Sequence, residues 1–155
     1  MAGALRGIAG RYLCPIAATN GQAGGFLHTD IAPLIENAGE LRVLYLGDFD
    51  LSGGHIEANT YKVLSEYGSL AWERVAITRE QVEERDLPII KKPDKRYKSV
   101  RYFEAVETEA LGQAEIARLL TERLDRELRE LLAAVLEREE RQRVQVRERL
   151  AREEP

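Results

Sequence analysis

The stretch that most constrains the fold is a short apolar run that ends in two closely spaced carboxylates. Residues 41–46 (Leu-Arg-Val-Leu-Tyr-Leu) are too few for a typical helix and are flanked by turn residues, so they predict a buried parallel strand. Asp48 and Asp50 follow, and in extended backbone their side chains point the same way. Ser52 and the two glycines after it supply a tight turn and the start of a helix. This order is typical of a site for a hard divalent cation or a phosphate.

The length and charge of the chain narrow the function classes. A chain of 155 residues predicts one domain with an appendage. The formal net charge of −4 argues against electrostatic wrapping of nucleic acid, so any basic surface must be local. The single cysteine, Cys14, excludes an internal disulfide framework and a cysteine-based zinc site, and it fits a reducing, cytoplasmic location. No apolar run approaches the ~18 residues of a membrane span, so no membrane association is expected.

The order of the elements predicts an α/β fold with a compact, mainly parallel four-stranded sheet flanked by helices and a long charged C-terminal helix. The expected strands cover residues 12–18, 41–46, 72–77 and 100–106, and the expected helices cover residues 26–38, 52–67, 78–85 and 113 onward.

Three segments are expected along the chain. Residues 1–10 are small, rich in glycine and without a period, which predicts a flexible lead-in, and residues 11–136 form the α/β domain. Residues 137–155 form a charged helical extension, because the apolar stripe that runs from Ile116 to Leu136 thins beyond that point. This extension could bind a protein partner, associate with a second copy of itself, or be a fraying tail.

The segment before the fourth strand holds the concentrated positive charge of the chain. It predicts a loop over residues 86–99, because it contains two prolines, dense charge and no period. Either a solvated loop or contact with nucleic-acid phosphates would account for its basic residues. These residues are Lys91, Lys92, Lys95, Arg96, Lys98 and Arg101.

Acidic residues follow two of the expected strands. Because ligands collect at the carboxyl ends of parallel strands, Glu107 and Glu109 could join Asp48 and Asp50 there. Carboxylates so placed could hold Mg²⁺ at ~2.0–2.1 Å, with water or substrate phosphate in the remaining positions. Such a site suits phosphodiester chemistry, so these four acids are the candidate catalytic residues and the two aspartates are the candidate metal ligands.

The stretch from Val43 to Gly53 (Val-Leu-Tyr-Leu-Gly-Asp-Phe-Asp-Leu-Ser-Gly) resembles the second conserved motif of TOPRIM domains. The likeness is nearest to the topoisomerase VI A-subunit branch and its bacterial and phage relatives, in which Gly-Asp-x-Asp-Pro-x-Gly follows the strand. Gly47, the two aspartates and Gly53 match, and Leu51 stands where proline is usual. The resemblance implies a TOPRIM-like fold, Mg²⁺, and topoisomerase-like or nuclease action on nucleic acid, DNA in the first place.

Two departures from the family keep other functions open. Thr19 and Asn20 stand where TOPRIM enzymes carry a glutamate, and there is no room for the winged-helix domain that bears the cleaving tyrosine in the topoisomerase VI branch. A non-catalytic TOPRIM-derived module that binds nucleic acid or protein is therefore an alternative. A phosphohydrolase of the haloacid-dehalogenase type also uses Asp-x-Asp after a strand. Its motif needs Thr or Val two residues after the second Asp, where this chain has Ser52.

Overall fold

The computed structural model describes residues 2–19, 24–38, 40–94 and 101–153, and it is an α/β structure with a long C-terminal helix. The helices are α1 (Ala2–Arg11), α2 (Ala32–Ala38), α3 (Leu51–Ser65), α4 (Arg79–Glu84) and α5 (Gln113–Glu153). The strands are β1 (Glu40–Leu46), β2 (Ser69–Ala76), β3 (Ile90–Pro93) and β4 (Tyr102–Ala105). A π-helical turn (Leu27–Ile31) precedes α2, and a 3₁₀ turn (Thr108–Leu111) precedes α5.

β1 and β2 form a parallel pair, as the strand–helix–strand order predicts. The register runs from Glu40 opposite Ser69 to Tyr45 opposite Arg74, and it shifts by one residue before Leu46. The pairing continues past the strand ends, because Gly47 donates its N–H to the Ala76 carbonyl at 2.8 Å. The acidic turn therefore begins on a backbone that the neighbouring strand still holds.

The four-stranded parallel sheet expected from the sequence is wrong. The second pair, β3 and β4, is antiparallel, so the expected loop over residues 86–99 contains a strand. Its charged, proline-containing sequence resembles a loop, and only pairing with β4 makes it extended. Antiparallel bonds between Phe49 and Val106, at 2.9 and 3.0 Å, link the hairpin to the acidic turn.

The expected first strand, residues 12–18, is also wrong. Residues 12–19 form no strand among the described residues, and Pro15 lacks an N–H that a ladder would use. A cavity of about 800 Å³ with mainly apolar walls lies along this segment, between it and residues 41–46 of β1.

The N-terminal segment is helical rather than a flexible lead-in. α1 buries Leu5 and Ala9, and Leu5 packs against Ile116, Leu120 and Leu124 of α5. The apolar spacing from Leu5 to Ala9 is one helical turn, but three glycines in the same ten residues hide it in the sequence.

The next helical segment, expected over residues 26–38, is helical without a break. The π-helical turn leads directly into α2, and the Ala32 N–H still bonds to the Leu27 carbonyl at the junction, one residue before Pro33. Leu27 and Ile35 from this segment form a core cluster with Leu64 of α3.

α5 runs without a break across position 136, where the sequence places the end of the domain. Its first part packs on α1 and the sheet, whereas every side chain described from Ala133 to Arg152 is exposed. Within the described residues, no helix is long and apolar enough to span a membrane.

Candidate functional site

Asp48 is held by the chain that follows β4. Its Oδ1 accepts a hydrogen bond from the Thr108 backbone N–H at 2.9 Å and another from the Thr108 hydroxyl at 2.7 Å. Thr108 is buried, so both donors would lose a partner if Asp48 moved away. The Asp48 carboxylate therefore anchors the 3₁₀ turn to the end of β1.

Asp50 is the N-cap of α3. Its backbone is extended, and its Oδ1 accepts the Gly53 N–H at 2.6 Å, which satisfies one of the free donors of the helix start. The turn requires glycine at position 53, because a Cβ there would lie 2.3 Å from the Asp48 carbonyl oxygen. A Cβ at Gly54 would meet nothing within 4 Å. The match between this turn and the TOPRIM motif therefore includes a glycine with a physical reason.

Lys92 of β3 lies between two of the candidate acids. Its Nζ is 3.1 Å from Asp50 Oδ2 and 3.4 Å from Glu107 Oε1. The Asp50 side chain is only 5% exposed, and that of Lys92 is 31% exposed. The ammonium group thus neutralises a carboxylate that has little contact with water.

The pKa values of this pair follow from the contacts. Burial alone would raise the pKa of the Asp50 carboxyl, but the Gly53 N–H and the Lys92 ammonium outweigh it, so the pKa lies below its ordinary value. The hydrogen bond to Asp50 raises the pKa of Lys92 above its ordinary value, and Glu107 adds to this effect. Both groups are therefore charged at neutral pH.

Arg74 of β2 holds the backbone around the acidic turn, a role that the sequence did not reveal. Its guanidinium donates to the carbonyl oxygens of Gly47 at 3.0 Å, Asp48 at 2.7 Å and Ile77 at 2.7 Å. It also pairs with Glu57 of α3. The available signal was an arginine near the carboxyl end of β2, followed by the apolar residues Val75 and Ala76.

Glu57 connects helix α3 to strand β2. Its second oxygen, Oε1, accepts the indole N–H of Trp72 at 2.9 Å. The Trp72 ring stacks on Tyr45, with ring centroids 5.5 Å apart. β1, β2 and α3 are therefore joined next to the acidic turn by one network of polar and aromatic side chains.

The structure brings two of the four predicted acids, Asp50 and Glu107, to one shared cation. Thr108 holds Asp48, and Lys92 joins Asp50 to Glu107. Glu109 is exposed on the 3₁₀ turn, and among the described residues Lys92 pairs with Asp50 and Glu107 but not with Glu109.

The predicted basic residues fall into two groups. Lys91 and Arg101 are exposed at the hairpin, and Lys92 is turned toward the acids. The Asp94 N–H donates to the Arg101 carbonyl at 2.6 Å, so the two hairpin strands are still paired there. Lys95, Arg96 and Lys98 lie outside the described residues.

The arrangement of these side chains does not fit the Mg²⁺ site that the TOPRIM resemblance implies. Asp50 uses one oxygen for the helix cap and the other for Lys92, and Asp48 Oδ1 carries two hydrogen bonds from Thr108. Among the described residues, no three histidine, cysteine, aspartate or glutamate side chains come together as a metal site would need. A divalent ion would have to displace Lys92 before it could reach Asp50.

No protein-family model, curated protein or solved structure matches this chain. The resemblance to TOPRIM domains consequently rests on the sequence from Val43 to Gly53.

Proposed function

We propose that this chain is a TOPRIM-like nucleic-acid-binding module whose acidic turn is a structural element rather than a metal centre. The observation that carries this proposal is the position of Lys92 Nζ between Asp50 and Glu107. A side-chain cation takes the place that a divalent ion would need.

The proposed binding surface is centred on β3 and β4, with the basic sequence between them (residues 90–105). Without Lys92, which is paired with Asp50 and Glu107, this stretch still has five basic residues against two acids, Asp94 and Glu104. A local surplus of this kind attracts phosphates even on a chain of net charge −4, because screening limits charges to a range of ~8 Å at physiological ionic strength. Lys92 also lowers the negative charge of the neighbouring acidic turn, which would otherwise repel phosphates.

This function can be tested by fluorescence anisotropy of labelled duplex and single-stranded DNA over a range of salt concentrations. We expect binding that weakens as salt rises, since each phosphate contact releases counterions. Lys91→Ala should weaken binding and reduce the slope of log K against log salt by about one phosphate contact. Lys62→Ala, an exposed lysine on α3, is the matched control and should leave both unchanged.

Two results would contradict the proposal. One is the absence of DNA binding at low salt, and the other is an equal loss of affinity in the two lysine variants. RNA of the same length, used in parallel, would show which nucleic acid is preferred.

A second candidate function is Mg²⁺-dependent phosphodiester cleavage in which the ion takes the place of Lys92 at Asp50 and Glu107, with Asp48 as the other predicted ligand. It is favoured by one observation, that Asp50 and Glu107 meet at Lys92, so withdrawal of the lysine would leave two carboxylates close together. Nicking of supercoiled plasmid in Mg²⁺ by the wild type, abolished by Asp48→Asn and by Asp50→Asn, would establish this function. Nicking that both variants retain would eliminate these ligands.

A further inference from the structure

The outer half of α5 carries a regular apolar pattern that no other described part of the chain covers. Beyond Leu128, which still packs against the core cluster of α1 and α5, the helix continues for 25 residues to Glu153. Leu136, Val146 and Leu150 are each more than half exposed. Exposed leucine and valine at regular spacing on a helix favour a partner, because burial of their apolar surface stabilises the association.

The pattern is a heptad repeat. Positions 132, 136, 139, 143, 146 and 150 alternate in steps of four and three residues, which is the spacing of the a and d positions of a coiled coil. We call these six positions the outer seam. They span about 27 Å of helix at 1.5 Å per residue. Four of them are apolar and two are charged, and the residues are Leu132, Leu136, Glu139, Arg143, Val146 and Leu150.

The two charged positions select the orientation of the partner. In a parallel pair of identical helices, Glu139 would face Glu139 and Arg143 would face Arg143 at the seam, and both contacts are repulsive. In an antiparallel pair, Glu139 of each helix can face Arg143 of the other. A partner that presents the same sequence in reverse therefore satisfies both charges.

One antiparallel register satisfies the apolar positions as well. When Glu139 faces Arg143, Leu136 faces Val146 and Leu132 faces Leu150, so each apolar residue of the seam meets another. A shift of one heptad in either direction places a leucine opposite Glu139 or Arg143 and breaks both ionic contacts. The seam is thus complementary to itself in a single arrangement.

We propose that this chain self-associates through the outer seam as an antiparallel two-stranded coiled coil with a second copy of itself. Within one helix, Glu139 and Arg143 are only loosely paired, at 3.9 Å, and both side chains are more than half exposed. The dimer supplies each of them with an opposite charge beside buried apolar layers. The two α/β domains then lie at opposite ends of the coiled coil. This arrangement does not depend on the proposed nucleic-acid function.

The oligomeric state of the full chain tests the proposal by sedimentation equilibrium at micromolar concentrations. We expect a dimer of about 35 kDa, twice the 17.5 kDa of the chain. Val146→Glu should raise the dissociation constant of the dimer by about tenfold or more, because it places a charge in the seam. Val144→Glu is the matched control, since Val144 is also exposed but lies off the seam, and it should leave the dimer intact.

Disulfide crosslinking tests the orientation. In a Cys14→Ser background, a mixture of the Leu136→Cys and Val146→Cys variants treated with diamide should form the mixed disulfide, because these positions face each other. Each variant alone should crosslink poorly, since identical positions lie about 15 Å apart along the seam. A monomer at all concentrations, equal effects of the two valine variants, or efficient crosslinking of either cysteine variant alone would overturn the proposal.

Discussion

The ammonium group of Lys92 lies 3.1 Å from the almost fully buried carboxylate of Asp50, which also caps helix α3. The two residues come from opposite sides of the site, 42 positions apart in the chain. Their contact joins the hairpin to the acidic turn, and it determines how the site responds to mutation, pH and cations.

Replacement of Lys92 by glutamine should destabilise the fold by about 1–2 kcal/mol, because a desolvated carboxylate loses its charged partner. Lys91→Gln is the matched control. Lys91 is exposed on the neighbouring position, so its substitution should change the free energy of unfolding by less than about 0.5 kcal/mol. Urea denaturation of the two variants at pH 7 makes the comparison, and equal costs would show that the Lys92–Asp50 contact adds nothing to stability.

The stabilisation by Asp50 should depend on pH in a definite direction. Because the folded-state pKa of this carboxyl is lowered from 3.8, its contribution is complete above that value and is lost as the pH falls through the lowered pKa. Wild type and Asp50→Asn, which keeps a good helix cap, should therefore differ most near neutral pH and converge in acid. A stability difference that grows as the pH falls would contradict the assigned charge state.

Gly53 and Gly54 should respond in opposite ways to alanine. Gly53→Ala should cost at least about 2 kcal/mol, since its Cβ would lie 2.3 Å from a backbone oxygen and the turn must shift. Gly54→Ala meets open space in the first turn of α3 and should be neutral or stabilising by up to about 1 kcal/mol. Thermal unfolding of both variants measures the contrast, and a similar loss in each would show that the turn is not the tight one described.

The hydroxyl of Thr108 can be tested by a pair of substitutions. Thr108→Val removes the hydrogen bond to Asp48 while keeping the shape, and should cost about 1–2 kcal/mol. Thr108→Ser keeps the donor and should cost less. If valine is tolerated as well as serine, the hydroxyl does not hold Asp48.

Local features of the site could be predicted from the sequence. The strand before the acids, the helix after them and the short helix expected over residues 78–85 are all confirmed, and the last begins with a capping box of Thr78 and Gln81. These elements depend on contacts between residues that are near in sequence, such as the Asp50 side chain and the Gly53 N–H. A pattern read along the chain therefore contains the information that forms them.

Features that depend on distant pairing could not be predicted in this way. β3 is charged and ends in a proline, so only its partner β4 makes it a strand, and the sequence indicated a loop. The approach of Lys92 to Asp50 follows from that hairpin, so the sequence showed a basic patch and an acidic turn as separate features. Arg74 was missed because its role is to hold three backbone carbonyls, which no side-chain motif reports.

We propose that Lys92, and not a divalent ion, neutralises the acidic turn, and that the chain is a nucleic-acid-binding module. Anisotropy of labelled DNA titrated with the full chain, in EDTA and in Mg²⁺ at equal ionic strength, tests it most directly. We predict that the chain binds DNA in EDTA, and that Mg²⁺ only weakens the binding and its salt dependence, because Mg²⁺ competes with the protein for DNA phosphates. Binding that requires Mg²⁺ and is lost in Asp50→Asn would contradict the account.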